Sequence, residues 1–211
     1  IYIQRIHRRN HLALKKLAEM RETLFTNTTH EFRTPLTIIL GLSQVLRKSK
    51  NEEVKQYARD IEIHGNGQLK LVNQLLDISK IKSNANDLKW RNGDITTYIS
   101  MVVASYNTYA RNKDITLRMH GDENVVMDFV PDYAHKVIDN LLSNAFKFTH
   151  ALGQVDVYVV RVGNILHIDV NDTGEGMDNK TMDNVFKAFY QGPSDSQNLG
   201  TGVGLSLVKH I

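Results

Sequence analysis

The sequence contains no cysteine and has only three prolines and one tryptophan. Without thiols there are no disulfides, no thiolate nucleophile and no cysteine-ligated zinc. No run of 18 apolar residues occurs, so no segment is suited to crossing a bilayer as a helix. Charge of one sign is also scarce. The 26 Lys and Arg against 23 Asp and Glu leave +3 and a pI near 9.0, too mild to point to nucleic acid. No signal peptide is recognisable, and the opening Ile1-Tyr2-Ile3 already has helical character, so we read the chain as a piece of something longer. What is present is an ordinary globular composition, 41% hydrophobic and 23% charged over 211 residues, enough for one large domain or two small ones. Glycines thicken after residue 160, which points to a helical first part and a loop-bearing second.

Up to about residue 48, Leu12, Leu14, Leu17, Met20, Leu24, Phe25, Phe32, Leu36, Ile39, Leu42 and Val45 recur mainly at spacings of three and four, the stripe of a packed helix. Pro35 removes a backbone donor and crowds the preceding turn, so a bend is expected just after His30. A turn near Lys48 to Asn51 should reverse the chain. Residues 52–82 then read as a second helix with Val54, Tyr57, Ala58, Ile61, Leu69, Leu76 and their neighbours inward; Gly65 and Gly67 interrupt the pattern, as a flexible point or, more simply, as glycines tolerated by packing. Two helices cannot close a core alone, so this hairpin is expected to dimerise into a four-helix bundle. The cluster Arg5, Arg8, Arg9, Lys15 and Lys16 reads equally as the flank of a membrane or as a solvated helix face.

Chemistry concentrates in Asn27-Thr28-Thr29-His30-Glu31-Phe32-Arg33-Thr34-Pro35-Leu36-Thr37. On a helix, Arg33 and Thr34 share a face with His30 one turn on, and Glu31 is rotated away. An imidazole beside a carboxylate, a guanidinium and a hydroxyl is a plausible nucleophile. The carboxylate can fix its tautomer and take a proton, the guanidinium can neutralise phosphoryl oxygens, and the hydroxyl can position water. Any one of nine histidines is otherwise most simply a solvated or core side chain.

From Leu88 the pattern turns to mixed α and β, after a polar linker at residues 84–87. Leu88 to Arg91 reads as a strand, Asp94 caps a helix to about Asn112, and Ile115 to Met119 and Val125 to Phe129 read as strands. Pro131 starts a helix to Phe148, and Gln154 to Val162 and Asn164 to Asn171 alternate as a hairpin about Gly163-Asn164. Four patches stand out in this part. Asn140, Asn144 and Lys147 form one polar stripe opposite Ile138, Leu141, Leu142 and Ala145. Amide oxygens can ligate a hard cation such as Mg²⁺, and the lysine can meet a phosphate. Asp172-Thr173-Gly174-Glu175-Gly176-Met177 comes directly after a strand; its carboxylate can accept from an amine, and its glycines admit a close approach. Phe186 and Phe189 suit an apolar clasp on a mobile segment. Gly200-Thr201-Gly202-Val203-Gly204-Leu205 precedes a helix and exposes backbone N–H groups suited to phosphate. This last motif comes too late for a dinucleotide fold, which needs it after the first strand of a βαβ unit.

In this order, His-Glu-Phe-Arg-Thr-Pro at residues 30–35 resembles the H box of sensor histidine kinases, and Asn140 to Lys147 resembles their N box. Asp172 to Gly176 resembles the G1 box, Phe186 to Phe189 the F box and Gly200 to Gly204 the G2 box. The wording from Phe25 to Thr37 resembles the hybrid two-component sensors of Bacteroides-type gut bacteria. The resemblance implies a dimeric helical phosphotransfer hairpin at residues 1–83 and a linker at 84–87. An α/β sandwich of the Bergerat ATP-binding type is implied at residues 88–211, lacking its closing strands. The resemblance also implies His30 as phospho-acceptor, Glu31 as its partner or base, and Thr34 as the residue that places water for the reverse, phosphatase reaction. ATP and Mg²⁺ are the implied cofactors, with Asn144 and Asn140 on the metal, Lys147 on phosphate, Phe148 on adenine and Asp172 on its amine. Gly174, Gly176 and Met177 line the base, and the segment from Phe186 through Gly200, Thr201, Gly202, Val203, Gly204 and Leu205 forms a lid. The position of Phe148 is often tyrosine in this family. The implied partners are a second copy of the chain and a response-regulator receiver, within the full-length chain or separate, with no direct nucleic-acid contact. The setting implied is the cytoplasmic portion of a bacterial inner-membrane sensor, anchored by an N-terminal span. Two other readings are an ATPase of the gyrase or Hsp90 type, which needs a glutamate where Asn140 stands, and a nucleotide-binding scaffold without transferase activity.

Overall fold

The computed structural model describes residues 29, 32–83, 88–192 and 201–211. The expected bend after His30, the basic cluster from Arg5 to Lys16 and the linker at 84–87 lie outside them. The chain divides into two compact units, one up to Ala85 and one from Asn86.

The first unit is a helical hairpin. Residues 32–46 form α1 and Glu52–Ser83 form α2, joined by a turn where expected. Asn51 starts α2 by accepting from the Glu53 amide at 2.9 Å, and Glu52 and Glu53 supply the negative charge favoured in a first turn. The arms run antiparallel: Arg33 meets Asn73, Leu40 meets Gly65, and Arg47 pairs with Glu62. α2 runs unbroken through Gly65 and Gly67, and one of them has a packing reason. A Cβ on Gly65 would lie 2.9 Å from the Leu40 Cδ2, whereas one on Gly67 would meet nothing within 4 Å. Tyr57 and Ile61, expected inward, are exposed in the single chain, as are Ile39, Leu42, Val45 and Ile63. Leu40, Ala58 and Leu76 are the buried apolar residues among those described in this unit.

The second unit packs helices on a mixed sheet. Its elements are β1 (Arg91–Asp94), α3 (Ile95–Ser105), α4 (Asn107–Asn112), β2 (Thr116–Gly121), β3 (Val126–Phe129), α5 (Pro131–Phe148), β4 (Gln154–Val162), β5 (Ile165–Asp172), α6 (Asn179–Asn184) and α7 (Gly204–His210). β2 pairs parallel with β4, β4 antiparallel with β5, and β1 antiparallel with β3. Alternation sets the register: Val155, Val157 and Val159 of β4 are fully buried, while Asp156 and Tyr158 face away. Gly163 takes φ of +62°, which the two-residue hairpin turn between β4 and β5 needs at its first position.

Two expected elements differ. The first strand lies at Arg91–Asp94, where it pairs with β3, rather than at Leu88 to Arg91. The helix capped by Asp94, whose carboxylate accepts from the Thr96 and Thr97 amides, does not run through to Asn112. It breaks at Tyr106, whose amide bonds three residues back to Val103 and whose phenol reaches Asp139 of α5 at 2.5 Å. Ile95, Ile99, Val102, Ile138, Leu142 and Phe146 join the β4 valines in one core.

The two hairpin glycines should therefore respond in opposite ways. Gly65→Val should destabilise by about 1–3 kcal/mol through overpacking against Leu40. Gly67→Ala should stabilise by up to about 1 kcal/mol through helix propensity. Urea unfolding followed by helical circular dichroism checks both.

Candidate functional site

In the first unit, His30 and Glu31 lie outside the described residues. Thr29, just before them, is buried, and Thr34, a turn on, is exposed. Arg33, expected on the face of the imidazole to meet phosphoryl oxygens, donates from Nη2 to Asn73 Oδ1 at 2.6 Å across the hairpin. This guanidinium holds the two arms in register.

In the second unit, the site is built where α5 stops. One face of α5 is apolar and covered by the sheet, so the chain's polar residues at 140, 144 and 147 fall along its other side. Asn140, expected on this polar stripe, is buried, and its Nδ2 donates to the Lys136 carbonyl at 2.6 Å. Asn144 and Lys147 are half-buried, and Leu141, expected buried, is half-buried as well. The helix ends at Thr149, whose amide and hydroxyl both donate to the Ala145 carbonyl, at 3.0 and 2.7 Å.

Here α5 meets the loop that leaves β5. A Cβ on Gly174 would fall 2.6 Å from the Phe148 carbonyl oxygen, so only glycine lets that loop lie against the helix end. The same loop is pinned by Asp172, whose Oδ1 accepts from the Gly174 amide at 2.9 Å, and by Thr173, whose Oγ1 accepts from the Gln154 amide at 2.9 Å. Gly153 closes the junction: a Cβ there would sit 2.4 Å from Thr149 Cγ2 and 2.9 Å from Thr173 Oγ1. The sequence reading missed Gly153, Thr149 and Thr173 as site-forming residues. The one local signal was a glycine five residues beyond a helix end.

Beyond the junction, Gly176 takes φ of +71° in open space, and Met177 is exposed. Phe186 and Phe189, expected as an apolar clasp, are both exposed, and Phe189 has φ of +66°. The segment meets the start of the last helix through backbone. The Phe189 amide donates to the Gly202 carbonyl at 2.8 Å, and a Cβ on Gly202 would lie 2.8 Å from the Phe189 carbonyl carbon. Val203 is fully buried, Thr201, Gly204 and Leu205 are half-buried, and Gly200 lies outside the described residues.

Charge at the α5 end is held at some cost. The Lys147 Nζ lies 4.7 Å from the Phe148 ring centroid, a cation over an aromatic face. Burial depresses the Lys147 ammonium below the ordinary lysine range, and the Glu175 carboxylate partly opposes that shift. Among the described residues no three His, Asp or Glu side chains converge as a metal cluster. A cation here would therefore draw on the amide oxygens of α5 and on phosphate and water. That donor set fits Mg²⁺, which takes few protein ligands. Because the Asn140 nitrogen is bonded to Lys136, any metal contact by that residue is through its oxygen.

Two family models match the chain. Residues 20–84 match the His Kinase A (phospho-acceptor) domain, and residues 129–211 match the histidine kinase-, DNA gyrase B-, and HSP90-like ATPase. "Histidine kinase P4" of Formosa agariphila is 32% identical over 93% of this chain and 15% of its own length. "Hybrid signal transduction histidine kinase D" of Dictyostelium discoideum is 33% identical over 94% of this chain and 14% of its own. "Sensor histidine kinase TmoS" of Ectopseudomonas mendocina is 30% identical over 94% and 21%. The chain thus spans between a seventh and about a fifth of these curated relatives. Among solved structures, full-length ShkA in complex with AMPPNP matches at TM-score 0.71 and 26% identity, over 89% of this chain and 40% of that one. The histidine kinase ThkA in complex with the response regulator protein TrrA shares the fold at TM-score 0.60 and 21% identity, over 90% and 56%. No helix among the described residues is long and apolar enough to cross a membrane.

Because burial favours the neutral amine of Lys147, its charge opposes folding at neutral pH, and that opposition fades as pH rises through its lowered pKa. Lys147→Met should raise the unfolding midpoint by about 1–3 °C at pH 7. The gain should shrink as pH approaches the ordinary lysine range. Thermal unfolding across pH, without nucleotide, checks this.

Proposed function

This chain belongs with the histidine kinases, pairing a phospho-acceptor domain with an ATPase domain, and on that premise we propose that it phosphorylates its own His30 from ATP and passes the group to a receiver aspartate. The observation that carries the nucleotide half is the junction of α5 with the loop after β5. Phe148, Asp172 and Gly174 are drawn together there at the end of a helix bearing Asn140, Asn144 and Lys147.

In this reading Phe148 offers a ring face to adenine. Asp172, with Oδ1 engaged by the Gly174 amide, presents Oδ2 to the exocyclic amine. Gly174, Gly176 and Met177 line the base, and Lys147 leaves the Phe148 ring for a phosphate. Asn144 and Asn140 would hold Mg²⁺, which spreads the charge of the phosphates when bound. Gly200, Thr201, Gly202, Val203, Gly204 and Leu205 close over them with the segment from Phe186. The free ring nitrogen of His30 forms a bond to the γ-phosphorus as the bond to the ADP oxygen breaks, and Glu31 orients the ring and takes its proton. A histidine with a pKa of about 6.5 is mostly neutral near pH 7.5, so the attacking lone pair is available. Thr34 places water for the reverse, hydrolytic direction, and Arg33, besides holding Asn73, neutralises phosphoryl oxygens at His30.

Residues 1–83 serve as the phosphotransfer hairpin, 84–87 as the linker and 88–211 as the catalytic domain. The exposed face of Ile39, Leu42, Val45 and Ile63 supports pairing of two hairpins in a four-helix bundle. The hybrid relative supports a receiver within the full-length chain. The sensor relative supports a role in sensing, and in the same reading the chain is the cytoplasmic portion of a membrane-anchored sensor. The Formosa relative and the wording around His30 support an origin in a Bacteroides-type hybrid system.

Incubation with γ-labelled ATP and Mg²⁺ should leave an acid-labile, alkali-stable label on the wild type. His30→Ala should bring it to background while nucleotide affinity is retained. Equal labelling of His30→Ala overturns the nucleophile, and full nucleotide affinity in Asp172→Ala overturns the pocket.

A further inference from the structure

The last four carbonyls of any α-helix lack partners within the helix, and the last turn of α5 carries Lys147 and Phe148, two of the residues proposed to bind nucleotide. One of these carbonyls has a distant donor. The Lys113 Nζ, from the residue that ends α4, donates to the Phe146 carbonyl oxygen at 2.8 Å. This ammonium is partly buried and lies 5.8 Å from the Tyr109 ring centroid. A cation at a helix C-terminus is also favoured by the helix dipole.

The contact belongs to a larger brace. Tyr106 stacks on Phe146 with ring centroids 5.6 Å apart and planes 9° apart, and Tyr109 meets the same ring edge-on. The Tyr106 phenol donates to Asp139 at 2.5 Å. Each polar strut therefore lands one residue before a proposed ligand: Asp139 precedes Asn140, and Phe146 precedes Lys147 and Phe148. Successive residues of a helix are related by a fixed rotation and rise. Pinning the Phe146 carbonyl therefore sets the direction in which Lys147 and Phe148 leave the backbone.

We propose that Lys113 is a positioning residue for nucleotide binding, acting through the Phe146 carbonyl on Lys147 and Phe148. The proposal rests on the reading of α5 as the nucleotide helix. Lys113→Met keeps the apolar stem and loses the donor; Lys113→Arg keeps both charge and donor.

The test is the affinity of the 211-residue chain for ATP and for uncharged adenosine, read with hydrogen exchange at the end of α5. Lys113→Met should weaken both ligands by about tenfold, as loss of one charged helix-end contact implies. Amides of residues 147–149 should exchange faster with the middle of α5 unchanged, and Lys113→Arg should stay within about twofold of wild type. Wild-type affinity in Lys113→Met overturns the proposal. So does a loss confined to ATP that vanishes at high salt, which marks a long-range charge effect, or faster exchange throughout α5, which marks general destabilisation. A wild-type chain that binds neither ligand overturns the nucleotide reading itself.

Discussion

The place where α5 stops governs the chemistry of the second unit. The helix is fixed lengthwise by Ile138, Leu142 and Phe146 lying in one core with Val155, Val157 and Val159 of β4. A shift by one residue would turn that apolar face by about 100° and expose it. Its end is fixed by Thr149, which gives both of its donors to the Ala145 carbonyl. Two glycines then allow close approach: Gly153 against Thr149 and Thr173, and Gly174 against the Phe148 carbonyl. Amide, ammonium, ring and carboxylate are gathered because backbone can come this near to backbone, and any side chain at either glycine would wedge the junction apart.

The hairpin shows the opposite economy. Its arms are held in register by Arg33 with Asn73 and Arg47 with Glu62, contacts of the kind that add little net stability when solvated. One Glu62 oxygen, Oε1, is buried without a hydrogen-bond partner. Few apolar residues are buried between the described parts of the arms, and the larger apolar side chains of α1 face out. A polar zipper inside and an apolar face outside is the arrangement of half a bundle, in which the core forms between hairpins rather than within one.

How much the sequence disclosed depends on the reach of each signal. Pro131 to Phe148 and the hairpin from Gln154 were legible because their cues are local: proline at a helix start, an amphipathic stripe, alternation and a glycine turn. Asp94 was legible as a cap because its bonds span two and three residues. The break at Tyr106 was not, because its phenol and ring are held by Asp139 and Phe146, more than 30 residues away. The contacts of Asn140 and Arg33 were out of reach for the same kind of reason. A polar residue on a helix reads as solvent-facing or chemical until a distant partner, or the helix's own carbonyl, claims it. The candidate site was legible as a set of motifs; its junction was not, since Gly153 and Thr173 carry meaning only once β4 and β5 lie side by side.

The end of α5 carries two lysines, and the dipole alone favours cations there without saying why both are present. Their surroundings separate them. Lys113 reaches in from another helix and sits partly buried, with a backbone carbonyl of the fold itself as its partner. Lys147 belongs to the helix itself, is depressed by burial, and rests over the Phe148 ring, a weaker partner than a carboxylate or phosphate would be. A charge kept half-desolvated beside a replaceable neighbour is destabilising in the empty protein and becomes favourable when an anion arrives. The first lysine is thus a fixture of the fold, and the surroundings of the second suit the proposed contact with a phosphate.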